Sequence, residues 1–302
     1  MAAELNELTV REQGVGGGVL RVVRRRGNSD PFADQQLMIF VHGFNVTQDD
    51  AAASLAGFHR RLSDYSRSST RQLPSAWAFY WPGDHQVRLL SAATYAARVD
   101  TTQLAGELLG KLLTKLQPDR QVVLVGHSLG CRVVLEALTY IANERVAGTQ
   151  SAQVIGVCLM AAAVPVKRCT GAEEPYRSAV ITGPIHVLHS RNDCVLHRIF
   201  PQGQLIKGEF KGEAVGLNGG PPERWAQLHD TGLGHGDYLT DLRAIAEVAR
   251  IIDPTLPRYF TARPLPKDHC LRLRKLGWRK QASRRIGDRN AGWTDCWPVA
   301  GA

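Results

Sequence analysis

The chain has 302 residues, of which 44% are hydrophobic and 22% are charged, a composition typical of a globular protein with a sizeable core. No apolar run approaches the ~18–20 residues that a membrane-spanning helix needs, and residues 1–11 lack the apolar segment of a signal peptide. A cytoplasmic location is therefore expected. The net charge of +9 is concentrated near the C-terminus, where residues 264–302 hold nine Lys or Arg and three Asp.

The first predicted elements are two β-rich stretches, Glu7–Arg11 and Val19–Arg24, on either side of the glycine-rich segment Gly14–Gly18. This pattern predicts an N-terminal β-hairpin, and we assign residues 1–36 to it as an extension of the core. After it, short apolar runs alternate with segments of helical periodicity. These runs predict buried strands at Leu37–Val41, Ala76–Tyr80, Val122–Val125, Val154–Ala162 and Ile185–Leu188.

Helical periodicity predicts helices at Thr101–Leu116, Arg132–Asn143 and Tyr238–Ile252. Asp100, with Gln103 three residues later, resembles a capping box at the start of the first helix. Alternating strands and helices are typical of an α/β fold, with a mostly parallel central sheet and helices on both of its faces.

The pattern divides the chain into a core and two extensions. Residues 37–255 are expected to form the catalytic domain, and within it the Gly- and Pro-rich residues 201–234 are expected to form a loop insertion that lines the substrate cleft. Residues 256–302 form a basic C-terminal extension, which contains Trp278, Trp293 and Trp297.

The candidate nucleophile is Ser128, in the sequence Gly126-His127-Ser128-Leu129-Gly130. This Gly-X-Ser-X-Gly motif lies between a buried strand and an amphipathic helix, which is the context of a nucleophile elbow. A sharp turn would lift the hydroxyl out of the sheet edge, and the dipole of the following helix would favour negative charge beside it. The alternative is an ordinary strand–helix turn with a capping serine.

An acyl-transfer site also needs two donors for the oxyanion. The sequence predicts the amide of Leu129, directly after the nucleophile, and the amide of Phe44, in the loop after the strand Leu37–Val41. His42, at the end of that strand, is an alternative base, although its position favours a role in bracing the loop. We also assign His42 and Trp81 to the substrate pocket, with core packing as the alternative for Trp81.

The candidate acid and base follow the nucleophile in the order Ser, Asp, His. Asp193 lies in the turn after the strand Ile185–Leu188, and its alternative role is to cap the next segment. His235 lies in a glycine-rich loop immediately before the last predicted helix. His229 is the competing base, and Asp237 is the fallback acid.

With these residues identified, the chain resembles the α/β-hydrolases over about residues 35–252, and within them a bacterial family of uncharacterised serine hydrolases. The resemblance implies Ser128, Asp193 and His235 as a catalytic triad with esterase or lipase-like chemistry. One departure is that Ala161–Pro165 lacks the Asp that this family often has after the preceding strand. The motifs that carry the resemblance are Phe40–Asn45, Phe79–Gly83, Gly126–Gly130, Ser190–Asp193 and Gly234–His235.

The expected function is hydrolysis of small-molecule carboxylic esters through an acyl-enzyme on Ser128, without a cofactor or metal. The six cysteines form no Cys-X-X-Cys pair and no cluster at ligand spacing, so they are expected to be free thiols. One alternative is thioester or amide hydrolysis by the same residues. Another is a non-catalytic scaffold that binds nucleic acid or an anionic membrane through residues 264–302. For these residues, however, a solvated extension without a binding role is the favoured interpretation.

Overall fold

The computed structural model describes residues 5–12, 18–26, 30–31, 33–84, 92–170, 180–209, 212–218 and 226–258. Its centre is one eight-stranded sheet. The strands are β1 Asn6–Arg11, β2 Val19–Arg26, β3 Gln36–Val41, β4 Ser75–Tyr80, β5 Gln121–His127, β6 Gln153–Met160, β7 Ile185–His189 and β8 Gln227–Asp230. They lie in the order β2-β1-β4-β3-β5-β6-β7-β8, and every pair is parallel except the hairpin β1–β2.

Helices pack on both faces of this sheet. Those described are α1 Gln48–Tyr65, α2 Ala92–Lys115, α3 Gly130–Val146, α4 Lys167–Thr170, α5 Cys194–Lys207, α6 Val215–Asn218 and α7 Leu242–Ile252. Helix α1 packs against α7, whereas α2 packs against α3 and α5. The chain moves in opposite directions from β3 to β4 and from β5 to β6, so right-handed crossovers put α1 and α3 on opposite faces.

The strand order reverses between β3 and β5, which are neighbours in the sheet. In sheets of this kind, functional side chains collect outside the carboxyl ends of the strands at such a reversal. Val41 at the end of β3 is paired with Gly126 near the end of β5. The segments that follow these two strands therefore begin side by side.

The predicted α/β architecture and the N-terminal hairpin are confirmed, and each predicted strand is present with its ends shifted by a few residues. Helix α2 begins nine residues earlier than predicted, at Ala92. Asp100 therefore lies inside this helix rather than at its cap, and its carboxylate accepts a 2.6 Å contact from Lys207 of α5.

Helix α1 was not predicted, although the sequence contains its start signal. Thr47 caps the helix by accepting a hydrogen bond from the Asp50 amide at 3.2 Å, and Asp49 and Asp50 lie in its first turn. The buried side chains amount to about one per turn, so the apolar stripe is narrow. They are Ala51, Leu55, Phe58 and Leu62.

Residues 201–234 differ from the loop insertion that was expected. Helix α5 continues through Pro201 to Lys207, and β8 forms the last strand of the sheet. An internal proline removes one helix hydrogen bond, but the buried side chains of Leu196 and Phe200 hold α5 in place. Strand β8 has a single buried residue, His229, and so lacks the apolar run by which a strand is recognised.

The C-terminal extension lies mostly outside the described residues, which end at position 258. The predictions for Trp278, Trp293 and Trp297 and for residues 264–302 therefore fall outside the structure. In the part of the chain that is described, none of the helices combines the length and the apolar character that crossing a bilayer requires. Of the cysteines in this part of the chain, Cys131 and Cys158 are buried free thiols.

A buried ion pair attaches the loop after β4 to the hairpin. The Arg11 guanidinium donates to both carboxylate oxygens of Asp84, at 3.0 and 2.9 Å, and the two side chains are 5% and 3% exposed. Removing one member of a buried pair leaves the other charge uncompensated, which typically costs ~3–5 kcal/mol.

We therefore expect Asp84→Asn to lower the free energy of unfolding by about 3 kcal/mol or more, as measured by urea denaturation. Asp64→Asn is the matched control, because Asp64 pairs with Arg67 at the surface, where both side chains are more than half exposed. That change should cost less than ~1 kcal/mol. Equal losses in the two variants would contradict the structural importance of the buried pair.

Candidate active site

Ser128 lies in a tight turn between β5 and α3. Its φ is 55°, in the left-handed region that costs a residue with a side chain about 1–2 kcal/mol. The amide of Ser128 donates to the Met160 carbonyl at 2.9 Å, and this bond holds the turn against the end of β6. A Cβ at Gly130 would collide with the carbonyl oxygens of Val41 and His42, so glycine is needed where α3 starts beside β3.

The structure brings together the three residues predicted as nucleophile, base and acid. The Nε2 atom of His235 lies 2.9 Å from Ser128 Oγ, and its Nδ1 atom lies 2.7 Å from Asp193 Oδ2. Because a carboxylate only accepts, Nδ1 carries the proton and Nε2 is left to accept from the serine hydroxyl. The three side chains come from the ends of β5, β7 and β8, which lie on the same half of the sheet.

Asp193 performs two tasks with its two oxygens. Oδ2 accepts from His235, while Oδ1 accepts from the Leu196 amide at 2.9 Å and caps the N-terminus of α5. The capping role that the sequence suggested as an alternative therefore coexists with the contact to His235. The side chain is fully buried, so a rigid helix end fixes the carboxylate under the imidazole.

The loop that carries His235 is held by contacts that the sequence did not reveal. His127 Nε2 donates to the His235 carbonyl at 2.8 Å, and burial lowers the pKa of His127 to about 4, which keeps its ring neutral. The Asn192 side chain donates to the Gly232 carbonyl at 3.1 Å and links the acid turn to the base loop. These partners are 108 and 40 positions apart, so no local pattern could have identified them.

Two of the alternative residues for base and acid, Asp237 and His229, make other contacts. Asp237 Oδ2 accepts from the Gly234 amide at 3.0 Å and shapes the loop beside His235 instead of contacting its ring. His229 is buried on β8, where its ring stacks on that of His186. Neither has a hydrogen bond to Ser128 among the described contacts.

The two predicted oxyanion donors flank Ser128. In the described part of the chain, the amides of Phe44 and Leu129 donate no hydrogen bond. A Cβ at Gly43 would lie 2.9 Å from His127 Nδ1 and 3.1 Å from Ser128 Cβ, so the loop after β3 passes directly over the elbow. Asn45 ends this loop at φ 60°, and its amide donates to the Gly83 carbonyl at 2.7 Å.

The assignment of His42 and Trp81 to the substrate pocket is corrected by their burial. The two rings stack at 5.6 Å, with 2% and 0% of their surface exposed, so they pack behind the loop instead of facing a substrate. His42 Nδ1 donates to the Gly43 carbonyl at 2.8 Å, and Nε2 accepts from the Trp81 amide at 3.2 Å. Burial lowers the pKa of His42 to about 4, so this ring is a neutral brace.

Comparisons with solved structures give distant similarities. The acyl-protein thioesterase 2 of maize (Zea mays) is 14% identical, with a TM-score of 0.40, and the alignment covers 76% of this chain and 97% of that one. The esterase Est2 of Thermogutta terrifontis, with butyrate bound, is 15% identical at a TM-score of 0.36, with 81% and 92% covered.

One curated relative is the transmembrane and coiled-coil domain-containing protein STS1 of rice (Oryza sativa subsp. japonica). It is 29% identical over 176 residues, which are 56% of this chain and 25% of the relative. The chain thus spans about a quarter of the length of this curated relative. The model of the family described as alpha/beta hydrolase of unknown function (DUF900) matches residues 28–199, more than half of the chain. The chain belongs to this family of α/β-hydrolases.

Proposed function

We propose that the protein is a serine hydrolase that cleaves carboxylic esters through an acyl-enzyme on Ser128. The observation that carries the proposal is the unbroken hydrogen-bond chain from Ser128 Oγ through His235 to Asp193, with distances of 2.9 and 2.7 Å. A hydroxyl, an imidazole and a buried carboxylate in this arrangement are the parts needed for nucleophilic acyl transfer.

In the first half-reaction, His235 Nε2 takes the proton of Ser128 as its oxygen attacks the ester carbonyl. Asp193 holds the ring in the tautomer with a proton on Nδ1 and stabilises the imidazolium that forms. The proton on Nε2 then passes to the departing alcohol, and the acyl group stays on Ser128. Water then attacks the acyl-enzyme while the same nitrogen takes its proton; the bond to Ser128 Oγ breaks, the carboxylic acid leaves, and the proton on Nε2 returns to the serine oxygen.

The amides of Phe44 and Leu129 are the proposed donors to the oxyanion. Both are on backbone that is already fixed, since Leu129 precedes α3 and the loop with Phe44 is braced by His42. Fixed donors need no reorganisation when the negative charge develops, and one such donor is typically worth ~3–4 kcal/mol in the transition state. The dipole of α3 adds to the same stabilisation.

The test is hydrolysis of p-nitrophenyl esters from acetate to palmitate by the purified 302-residue chain. We expect the rate of hydrolysis to be highest at one acyl length, because a pocket of fixed size fits one chain length better than the others. A matched series of acyl thioesters, measured by thiol release, separates ester from thioester preference. A folded protein that hydrolyses neither series would contradict the proposed function.

We also propose the domain division inferred from the sequence, with a hairpin extension over residues 1–36, a catalytic domain over 37–255 and a basic extension over 256–302. The pairing of β1 with β4 supports the assignment of the hairpin to the core, since it makes the extension continuous with the central sheet.

A further inference from the structure

Behind the candidate active site, three metal-ligating side chains meet between the sheet and α7. They are His186 of β7, His229 of β8 and Glu247 of α7. His186 Nδ1 lies 3.2 Å and His229 Nε2 lies 3.5 Å from the same oxygen, Glu247 Oε2. Each of the three residues offers one metal-ligating atom, and these three atoms all lie within 4.8 Å of one another.

The cluster is closed off from solvent. The side chains of Glu247, His186 and His229 are 0%, 4% and 8% exposed. Within the part of the chain that is described, both oxygens of Glu247 and the Nδ1 atom of His186 are buried without a hydrogen-bond partner. A buried carboxylate without hydrogen bonds is costly, and buried charges in proteins are normally paired or bound to a metal.

We propose that His186, His229 and Glu247 bind one zinc ion. Two imidazoles and a carboxylate are an established zinc ligand set, in which a water takes the fourth position. With bonds of about 2.0–2.1 Å and tetrahedral angles, neighbouring ligand atoms lie about 3.3–3.4 Å apart. The separations of 3.2 and 3.5 Å found here match that spacing.

An arginine lies beside the cluster. The nearest described cation, Arg250, lies 3.9 Å from Glu247 Oε2. Its Nη1 atom donates to the Pro254 and Leu256 carbonyls, whereas its Nε atom faces the carboxylate at a distance too long for a hydrogen bond.

The ion would fasten the short edge strand β8 to β7 and α7. Strand β7 leads into the turn with Asp193, and β8 leads into the loop with His235, so the site lies beneath both. Its role is structural and independent of the proposed hydrolase activity. The three ligands are separated along the chain by 43 residues, from His186 to His229, and by 18 residues, from His229 to Glu247. These separations are much longer than the spacing of a local metal-binding motif, so no metal was expected from the sequence.

The test uses the full chain, stripped of metal with a chelator and then titrated with Zn²⁺. After desalting, we expect one zinc per chain by elemental mass spectrometry. At about 100-fold excess over the dissociation constant, the melting temperature should rise by about 5 °C or more. His229→Gln and Glu247→Gln should each lose both effects. Less than stoichiometric zinc in the folded wild type would overturn the proposal.

Control variants separate this site from other ligands in the chain. His197→Gln changes an exposed histidine, and His269→Gln with Cys270→Ser changes histidine and cysteine beyond the described residues. Both should keep one zinc and the full thermal shift, and loss in either would overturn the assignment. If the cluster variants fail to fold, the visible absorption spectrum of the wild type loaded with Co²⁺ is the deciding measurement. Bands of a four- or five-coordinate ion without thiolate charge transfer would support the assignment of the site, and thiolate bands would contradict it.

Discussion

Replacing Ser128 by alanine is expected to lower kcat for p-nitrophenyl ester hydrolysis by about 10⁵–10⁶-fold. Alanine has no oxygen to form the acyl-enzyme, although the His235–Asp193 hydrogen bond and the backbone donors all remain. The expected residual rate is therefore that of water attack in the presence of oxyanion donors, roughly 10³–10⁴ above the uncatalysed reaction. KM should change little, because the hydroxyl contributes to the transition state rather than to ground-state binding.

The matched control is Ser63→Ala, which removes a hydroxyl that donates to the His59 carbonyl on α1. This variant should retain the wild-type kcat, and both variants should melt within about 2 °C of the wild type. A Ser128→Ala protein that is folded and keeps more than a few per cent of the activity would rule out Ser128 as nucleophile.

Asp193→Asn is expected to lower kcat by about 10⁴-fold, with little loss of stability. Its side-chain oxygen can still accept from the Leu196 amide, so the cap of α5 survives. The amide nitrogen, however, would face His235 Nδ1 and favour the wrong tautomer of the imidazole. Stability should fall by no more than about 1 kcal/mol, through the lost charge at the helix N-terminus. Steady-state kinetics and urea denaturation of the same preparation measure both effects.

Asp193→Ala should show a similar loss of kcat and a further loss of ~1–2 kcal/mol, since the cap is removed as well. Asp241→Asn is the control for capping alone, because Asp241 caps α7 by accepting from the Arg243 amide at 2.8 Å. It should keep its activity. If Asp193→Asn also kept its activity, Asp193 would be a structural cap and not the acid.

The sequence was most informative where a local pattern dictates local geometry. The motif around Ser128 predicts its own turn, because glycines on both sides of a serine between an apolar strand and a helix have few other conformations. The buried strands were equally clear, since a parallel sheet covered on both faces requires continuous apolar runs. Edge strand β8 could not be found in this way, because its other face is exposed and only His229 is buried.

The contacts that hold the candidate site together were beyond the sequence for a different reason. His127 and Asn192 each act on a partner that is distant in sequence. Their roles depend on how β5, β7 and β8 are ordered in the sheet. The pocket assignment of Trp81 failed because a tryptophan after a strand can face a cleft or pack behind it, and only its burial distinguishes the two.

Covalent labelling tests the central claim most directly, namely that Ser128 is a nucleophile activated by His235. The purified protein is incubated with a fluorophosphonate, and the modified peptide is identified by mass spectrometry. The account predicts a single adduct on Ser128, whose rate of formation falls sharply in His235→Gln. An adduct on another residue, or an unchanged rate in His235→Gln, would contradict it.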